Sequence, residues 1–185
     1  MKIKVHGARI VIADDSTTNL NKLGLLLKKQ GYQVFLAQDG KQCLQLVEEV
    51  NPDLVILDID MPYMNGLEVC KSLRSSPETH LTPVLILSAS SSRDDKNYAV
   101  SVGANDFLHK SFNSFELKLK IESLIKLKQA IDQLETANNV IKSLAKAVEY
   151  KDKYTEGHGE RVSLYAAQIA QKMNLSDQQI NDISM

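Results

Sequence analysis

The sequence predicts an α/β fold in which a parallel sheet is covered by helices on both faces. Three observations carry this. Predicted strands alternate with predicted helices five times, the pattern of successive βαβ crossovers. The run Leu54–Leu57 is apolar without alternation, as a strand covered on both faces requires. The runs also end abruptly on polar residues: Asp14 with Asp15, Asp58, Ser88 and Lys110.

The elements follow in order. Arg9–Ala13 (RIVIA) is β-branched and reads as the first strand. From Thr18 to Lys29, Leu20, Leu23, Leu26 and Leu27 recur at helical spacing, and Gly31 stands where a helix would be capped. Gln33–Leu36 is a short second strand. Asp39–Val50 reads as a helix with Cys43, Leu44, Leu46 and Val47 inward, stopped by Asn51-Pro52. Leu54–Asp58 is the central strand, and its loop leads to a helix from about Leu67 to Ser75. Pro83 opens the strand VLILS, which ends on Ser88. Arg93–Ser101 is a polar helix closed by Gly103, and Asp106–His109 is the last strand.

Composition narrows the function classes. The 185 residues suffice for one ordinary domain and an appendage. Lys and Arg total 22 against 23 Asp and Glu, so no net charge argues for direct DNA binding or a membrane surface. No apolar run reaches the roughly 18 residues of a membrane span, and MKIKVHGARI lacks the apolar core of a signal peptide. A cytoplasmic location is expected. Cys43 and Cys70 lack metal-ligand spacing and read as reduced, partly buried thiols.

In a parallel sheet the residues at the C-terminal strand ends share one edge, so Asp14, Asp15, Asp58, Ser88 and Lys110 would converge. Two carboxylates about 5 Å apart repel by roughly 3 kcal/mol at an effective dielectric of about 20. Three together call for a cation, and all-oxygen ligands favour Mg²⁺. An Asp carboxylate beside Mg²⁺ can attack phosphorus to give an aspartyl-phosphate. Lys110 supplies an ammonium for the transferring group, and Ser88 a hydroxyl for one of its oxygens. A lone Asp at a strand end is more often a cap, and it is the combination that carries the reading. His80 and His109 have no partners at suggestive spacing and read as surface or loop residues.

These residues match a known family. From about Arg9 to Leu124 the chain resembles the receiver domain of bacterial two-component response regulators, in its acidic pair, its LDIDMPYMNG stretch, its Ser and its Lys. The resemblance implies a flavodoxin-like (βα)5 fold and phosphorylation of Asp58 by a histidine kinase. It implies Mg²⁺ held by Asp15 and Asp58, by the Asp60 backbone carbonyl, and by Asp14 through water. Ser88 and Phe107 would form the switch pair, the ring turning inward as the hydroxyl moves toward the phosphoryl group. The chain departs from the family after Lys110, where Ser111 replaces the usual Pro. That peptide bond is commonly cis in the family, and a cis bond before a non-proline residue costs about 2.5 to 4 kcal/mol.

The last receiver helix starts near Asn113, and no Gly or Pro appears until Gly157. Heptad position a falls on Leu124, Ile131, Asn138 and Ala145, and position d on Leu127, Leu134, Ile141 and Val148. Ile at a with Leu at d favours two parallel strands, and a buried Asn at a fixes register and dimer state. A parallel homodimer is expected, with a seam roughly 37 Å long. The alternative is an ordinary amphipathic helix packed on its own domain, and Leu144 falls outside the seam.

Beyond the rod, Gly157 and Gly159 flank His158. A further helix carries Val162, Tyr165, Ala166, Ile169 and Met173 on one face, and Ser176 with Gln179 reads as a capping box. The stretch DKYTEGHGERV, Asp152–Val162, resembles the opening of the HD-GYP family of metal-dependent phosphohydrolases that cleave cyclic di-GMP. It implies that His158 is the first ligand of an output metal site, with Fe or Mn expected only in an intact output domain. That family's His-Asp pair and GYP motif would lie past Met185, and a catalytic centre needs at least three protein ligands. No turnover is therefore expected from this segment as it stands.

The domain reading is a receiver over 1–123, a coiled-coil signalling helix over 124–150 and the start of an HD-GYP-type helical domain over 151–185. The function expected is a phosphorylated input module relaying its state through a dimeric helix to a phosphohydrolase. The alternative is a phosphorylation-independent dimerisation scaffold with a degenerate receiver.

Overall fold

The β-branched runs form the strands the sequence predicts. The computed structural model describes residues 7–89, 93–150, 158–173 and 175–184. The strands are β1 (Arg9–Ala13), β2 (Gln33–Ala37), β3 (Leu54–Asp58), β4 (Val84–Ser88) and β5 (Asp106–His109). They make one parallel five-stranded sheet in the order β2-β1-β3-β4-β5. Between them run α1 (Thr17–Lys29), α2 (Gly40–Val50), α3 (Gly66–Ser75) and α4 (Arg93–Ser101). After them come α5 (Ser114–Tyr150), α6 (His158–Lys172) and α7 (Asp177–Ser184). This is the flavodoxin-like α/β architecture with a helical C-terminal extension.

Successive strand residues point to opposite faces, so each central strand feeds two cores. Ile10, Ile12, Leu54, Ile56, Leu85 and Leu87 cluster with Leu27, Leu117 and Ile121 from α1 and α5. Val11, Val55, Leu57, Val84 and Ile86 face the other way, onto Cys43, Val47, Val69 and Cys70 of α2 and α3. Burial on both faces is why these runs lack polar alternation. Both cysteines are free and fully buried, more so than expected, and burial pushes the Cys43 thiol up to about 12.

Helix starts differ from the expectation by a residue or so, and side-chain caps explain why. Asp39 and Asn113 stand outside their helices as caps, accepting from Gln42 N–H at 2.8 Å and Glu116 N–H at 2.8 Å. Ser16 caps α1, and Asn65 forms a reciprocal capping box with Glu68. At the other end of α1 the Gly31 and Tyr32 amides return to the Lys28 and Leu27 carbonyls at 3.0 and 3.2 Å. Gly31 takes φ 89° there, a backbone conformation that favours glycine.

Arg74 of α3 ties the entries to β4 and β5. Its guanidinium donates to the Thr82 and Gly103 carbonyls, each at 2.8 Å, and to Asn105 Oδ1 at 2.7 Å. Asn105 Oδ1 in turn accepts from Val84 N–H at 2.9 Å.

The chain divides into two units, Met1–Asp132 and Gln133–Met185. The division falls within α5. Leu117, Ile121, Leu124 and Ile125 of that helix are buried in the α1/α5 core. Leu124, expected to open the dimer seam, is therefore a core residue of the first unit, because its side of the helix already has the sheet to pack on. Leu127, Leu134 and Ile141 are exposed, as are Asn138 and Ala145, and Ile131 is half-buried. The Val148 side chain lies outside the described residues.

In the second unit α6 packs against α7. The Leu175 amide donates to Ala170 O at 3.2 Å, and Ala170 is buried. Ser176 and Gln179 form the expected cap: Ser176 N–H donates to Gln179 Oε1 at 3.0 Å, and Gln179 N–H to Ser176 Oγ at 3.4 Å. The predicted apolar face of α6 is turned to solvent at Val162, Tyr165, Ile169 and Met173.

Candidate functional site

Strand order builds the site. The chain leaves β1 toward β2 on one side and returns to β3 on the other, so a crevice opens at the carboxyl ends of β1 and β3. Asp14 follows the last residue of β1, and Asp58 is the last residue of β3. The carboxylate oxygens of Asp14, Asp15 and Asp58 lie within 4.8 Å of one another. Lys110, just past β5, places Nζ 2.7 Å from Asp58 Oδ2 and 3.2 Å from Asp14 Oδ2. Ser88 is buried at the end of β4, where its carbonyl accepts from Lys110 N–H at 2.7 Å.

Each acid has a distinct environment. Asp58 is 1 % exposed and Asp14 is buried, whereas Asp15 and Asp60 reach solvent. Asp14 accepts from Ser16 N–H at 2.9 Å and from Asn19 Nδ2 at 3.3 Å. Burial raises the pKa of Asp58; the hydrogen bond and charge of Lys110 work against this, and the Asp14 charge adds to it. Burial alone would lower Lys110, but the Asp58 hydrogen bond and the charges of Asp58 and Asp14 outweigh it, so its pKa is raised. Lys110 is therefore held as an ammonium.

These residues fit a hard divalent cation. With Asp58 ionised, three carboxylates face one ammonium, and two negative charges stay uncompensated among the described residues. Asp58 Oδ1 is buried and makes no hydrogen bond of ordinary geometry among the described residues, although the Asp60 amide lies close enough to favour the charged form slightly. Oxygen-only donors with one buried acceptor to spare suit Mg²⁺.

The loop after Asp58 is held tight against the strand end. Gly66 N–H donates to Ile59 O at 3.1 Å. A Cβ on Gly66 would meet the Asp58 carbonyl oxygen at 2.1 Å, so the helix that follows the loop can start this close to Asp58 only without a side chain. Among the described residues no peptide bond is cis, so Lys110 places its ammonium beside the acids with the following Lys110–Ser111 bond trans.

The structure thus brings together Asp14, Asp15, Asp58 and Lys110, with Ser88 at the same sheet edge. Phe107 is half-buried against the α2/α3 core. Two participants escaped the sequence reading. Asn19 is one turn into α1 and reads as an exposed polar position, yet it bonds Asp14. His109 was expected to be uninformative, but both its ring nitrogens have partners: Nε2 is 2.7 Å from Ala89 O and Nδ1 is 2.6 Å from Ser111 Oγ. Only strand pairing, which sets Ser88 beside His109, could have revealed it. His158 is the first residue of α6, and residues 152–157 of its motif lie outside the described residues.

A model of the response regulator receiver domain matches residues 10–122. The chain belongs to this family. Response regulator PleD of Caulobacter vibrioides is 35 % identical over 127 residues, 69 % of this chain and 28 % of PleD. The chain thus spans well under half the length of that relative. Chemotaxis protein CheY4 of Vibrio cholerae matches at 30 % identity and TM-score 0.61, covering 64 % of this chain and 98 % of CheY4. The receiver domain of sensor histidine kinase PA1611 from Pseudomonas aeruginosa matches at 26 % identity and TM-score 0.61, over 65 % of this chain and 98 % of that one. That domain was solved with a magnesium ion coordinated in its active site cleft. Receiver domains bind Mg²⁺ at an acidic site and take phosphoryl groups from histidine kinases, and an acidic cluster of Asp14, Asp15 and Asp58 is present here. No helix among the described residues is long and apolar enough to cross a membrane.

Proposed function

We propose that this chain is the input module of a cytoplasmic response regulator, phosphorylated on Asp58 by a histidine kinase. The observation that carries this is Asp58 itself, buried at the end of β3 among two further carboxylates and 2.7 Å from the Lys110 ammonium. An Asp58 oxygen attacks the phosphorus of a phosphohistidine; the O–P bond forms as the N–P bond breaks, and the leaving imidazole nitrogen keeps the electron pair. Mg²⁺ held by Asp15, Asp58 and the Asp60 carbonyl, with Asp14 acting through water, would offset charge on the transferring group. Both Asp58 oxygens are buried, so the site must open first. Lys110 has 27 % side-chain exposure, and its swing from Asp58 toward the phosphoryl oxygens would uncover Oδ2. Ser88 then hydrogen-bonds one phosphoryl oxygen, and Phe107 follows its movement as the switch partner.

The kinase has a natural approach. A cavity of about 490 Å³ opens beside Asp14 and Lys110, lined by Leu23, Leu26 and Phe112 with Lys22 and Lys29. An amphipathic helix presenting a phosphohistidine would set its apolar face there.

The test is the intact mass after incubation with Mg²⁺ and acetyl phosphate. Wild type should gain one phosphoryl group and Asp58→Asn none. No gain in wild type would favour the phosphorylation-independent scaffold.

The output reading has separate support. Leu127, Leu134 and Ile141 repeat at heptad spacing on exposed helix, which favours a parallel homodimer with Asn138 setting register. The sequence puts the receiver at 1–123 and the paired helix at 124–150; with Leu124 and Ile125 in the receiver core, the paired stretch begins beyond them. Phosphorylation would favour one receiver surface and hence one rotation or register of the paired helices. The segment 151–185 resembles the opening of an HD-GYP phosphohydrolase, with His158 as the first ligand of a centre for Fe or Mn. A chain continuing past Met185 with that family's remaining motifs should bind these metals and open cyclic di-GMP. Failure of such a chain to do either would remove the phosphohydrolase reading and leave the receiver reading standing.

A further inference from the structure

β4 and β5 end side by side, with Ser88 opposite His109 in register. The next residue on each strand belongs to a loop. The candidate chemistry is split between the two strand exits: Ser88, the last residue of β4, with Ala89 on one side, and Lys110 with Ser111 on the other. What fixes their relative position is a pair of cross-links. Lys110 N–H donates to Ser88 O at 2.7 Å, and His109 Nε2 lies 2.7 Å from Ala89 O.

The roles of the two ring nitrogens follow from their partners. Ser111 N–H, which can only donate, points at His109 Nδ1 at 3.2 Å. Nδ1 therefore presents a lone pair, and the ring proton is on Nε2, donating to the Ala89 carbonyl. Ser111 Oγ, 2.6 Å from the same Nδ1, adds a second donor to that lone pair. Ser111 thus orients the ring, and the ring anchors Ala89. A proline at 111 would have neither the N–H nor the hydroxyl to do this.

We propose that His109 is a positioning residue for phosphoryl transfer to Asp58. It pins the peptide that follows Ser88 to the strand end that carries Lys110, so the hydroxyl and the ammonium reach the transferring group at one fixed spacing. Two groups at separate strand exits can assist a single transfer only if that spacing is set beforehand. The inference rests on the reading of Asp58 as phosphoacceptor.

The experiment is the rate of aspartyl-phosphate formation at saturating Mg²⁺ and acetyl phosphate, with Mg²⁺ affinity measured on the same samples. His109→Gln keeps an amide donor at the position of Nε2 and should stay within about twofold of wild type. His109→Ala and His109→Asn lack a donor that reaches Ala89 and should slow formation on the order of fivefold, the weight of one neutral hydrogen bond. Ser111→Ala, which keeps its N–H, should fall between. Mg²⁺ affinity should be unchanged throughout, because the acids come from β1 and β3.

Wild-type rates in Ala and Asn would overturn the inference. So would a Gln variant as slow as Ala, since the ring's bulk and not its donor would then matter. A parallel loss of Mg²⁺ affinity would assign His109 a merely structural role. A wild-type chain that gains no phosphoryl group would instead remove the phosphoacceptor reading.

Discussion

Two isoleucines on one helix divide this molecule. Ile121 of α5 is fully buried, whereas Ile141, farther along α5, is 63 % exposed. Both stand in apolar patterns of helical spacing, and the same rule predicts an inward face for each. The difference is what lies opposite. Ile121 has β1, β3 and β4 to cover it, and it shares their core with Leu27 and Leu117. Ile141, Leu134 and Leu144 lie exposed on the part of α5 that belongs to the second unit. Periodicity therefore says which face wants covering and not what covers it.

The largest way to break this contrast is Ile121→Ala, which should cost about 4 kcal/mol of receiver stability, read as a lower urea midpoint at constant slope. Gly66→Ala should cost about 3 kcal/mol, because the Cβ at 2.1 Å from the Asp58 carbonyl forces the loop and strand end apart. It should also lower the rate of phosphorylation, since the strand end it moves carries Asp58, the proposed phosphoacceptor.

Mg²⁺ sharpens the comparison from the site's side. At ten times its dissociation constant it should stabilise the receiver by about 1.4 kcal/mol. That gain should disappear in Asp58→Asn and leave the helices of the second unit unaffected, as read by residue-resolved hydrogen exchange.

Asp58 also links stability to pH. Burial raises its folded pKa above the ordinary 3.8. As pH rises, the unfolded chain loses this proton first, so stability falls from pH 3.8 up to the folded pKa and the penalty is complete above it. Without added Mg²⁺, Asp58→Asn should be the more stable protein at neutral pH. The gap should narrow as pH falls toward 3.8, and a constant gap would mean that burial of the ionised group is not its source.

The smallest effect belongs to the exposed isoleucine. Ile141→Ala should change the stability of dilute, unpaired chains by less than about 0.5 kcal/mol. In the proposed dimer, it should lower the dimer fraction seen by light scattering. An Ile141→Ala variant that pairs as well as wild type would remove Ile141 from the seam.

Much of the receiver was legible in the sequence because its signals are local and redundant. The central strands announced themselves as apolar runs, and Asp14, Asp58, Ser88 and Lys110 stood out because a polar residue stands at the end of each strand. The Ser176–Gln179 cap was legible too, since donor and acceptor lie three residues apart. Asn19 was not legible: its amide bonds Asp14 only because α1 packs its first turn over the end of β1. His109 was missed because its partner Ala89 is 20 residues away, across a strand pairing that no spacing rule encodes. Leu124 was assigned to the wrong surface for a related reason. Its heptad position is valid, but the sheet claims it first, and burial against an existing core wins over a seam that needs a second chain.

By itself, then, the sequence determined the alternation of elements, the doubly covered strands and the residues at their carboxyl ends. Backbone geometry and side-chain periodicity act over a few residues and need no partner. Only the tertiary structure decided which of those residues touch. It set the 2.7 Å pairing of Lys110 with Asp58, the burial that raises the Asp58 pKa, and the bonds of Asn19 and His109. Those depend on distances between segments far apart in the chain, which the packing of helices on the sheet fixes.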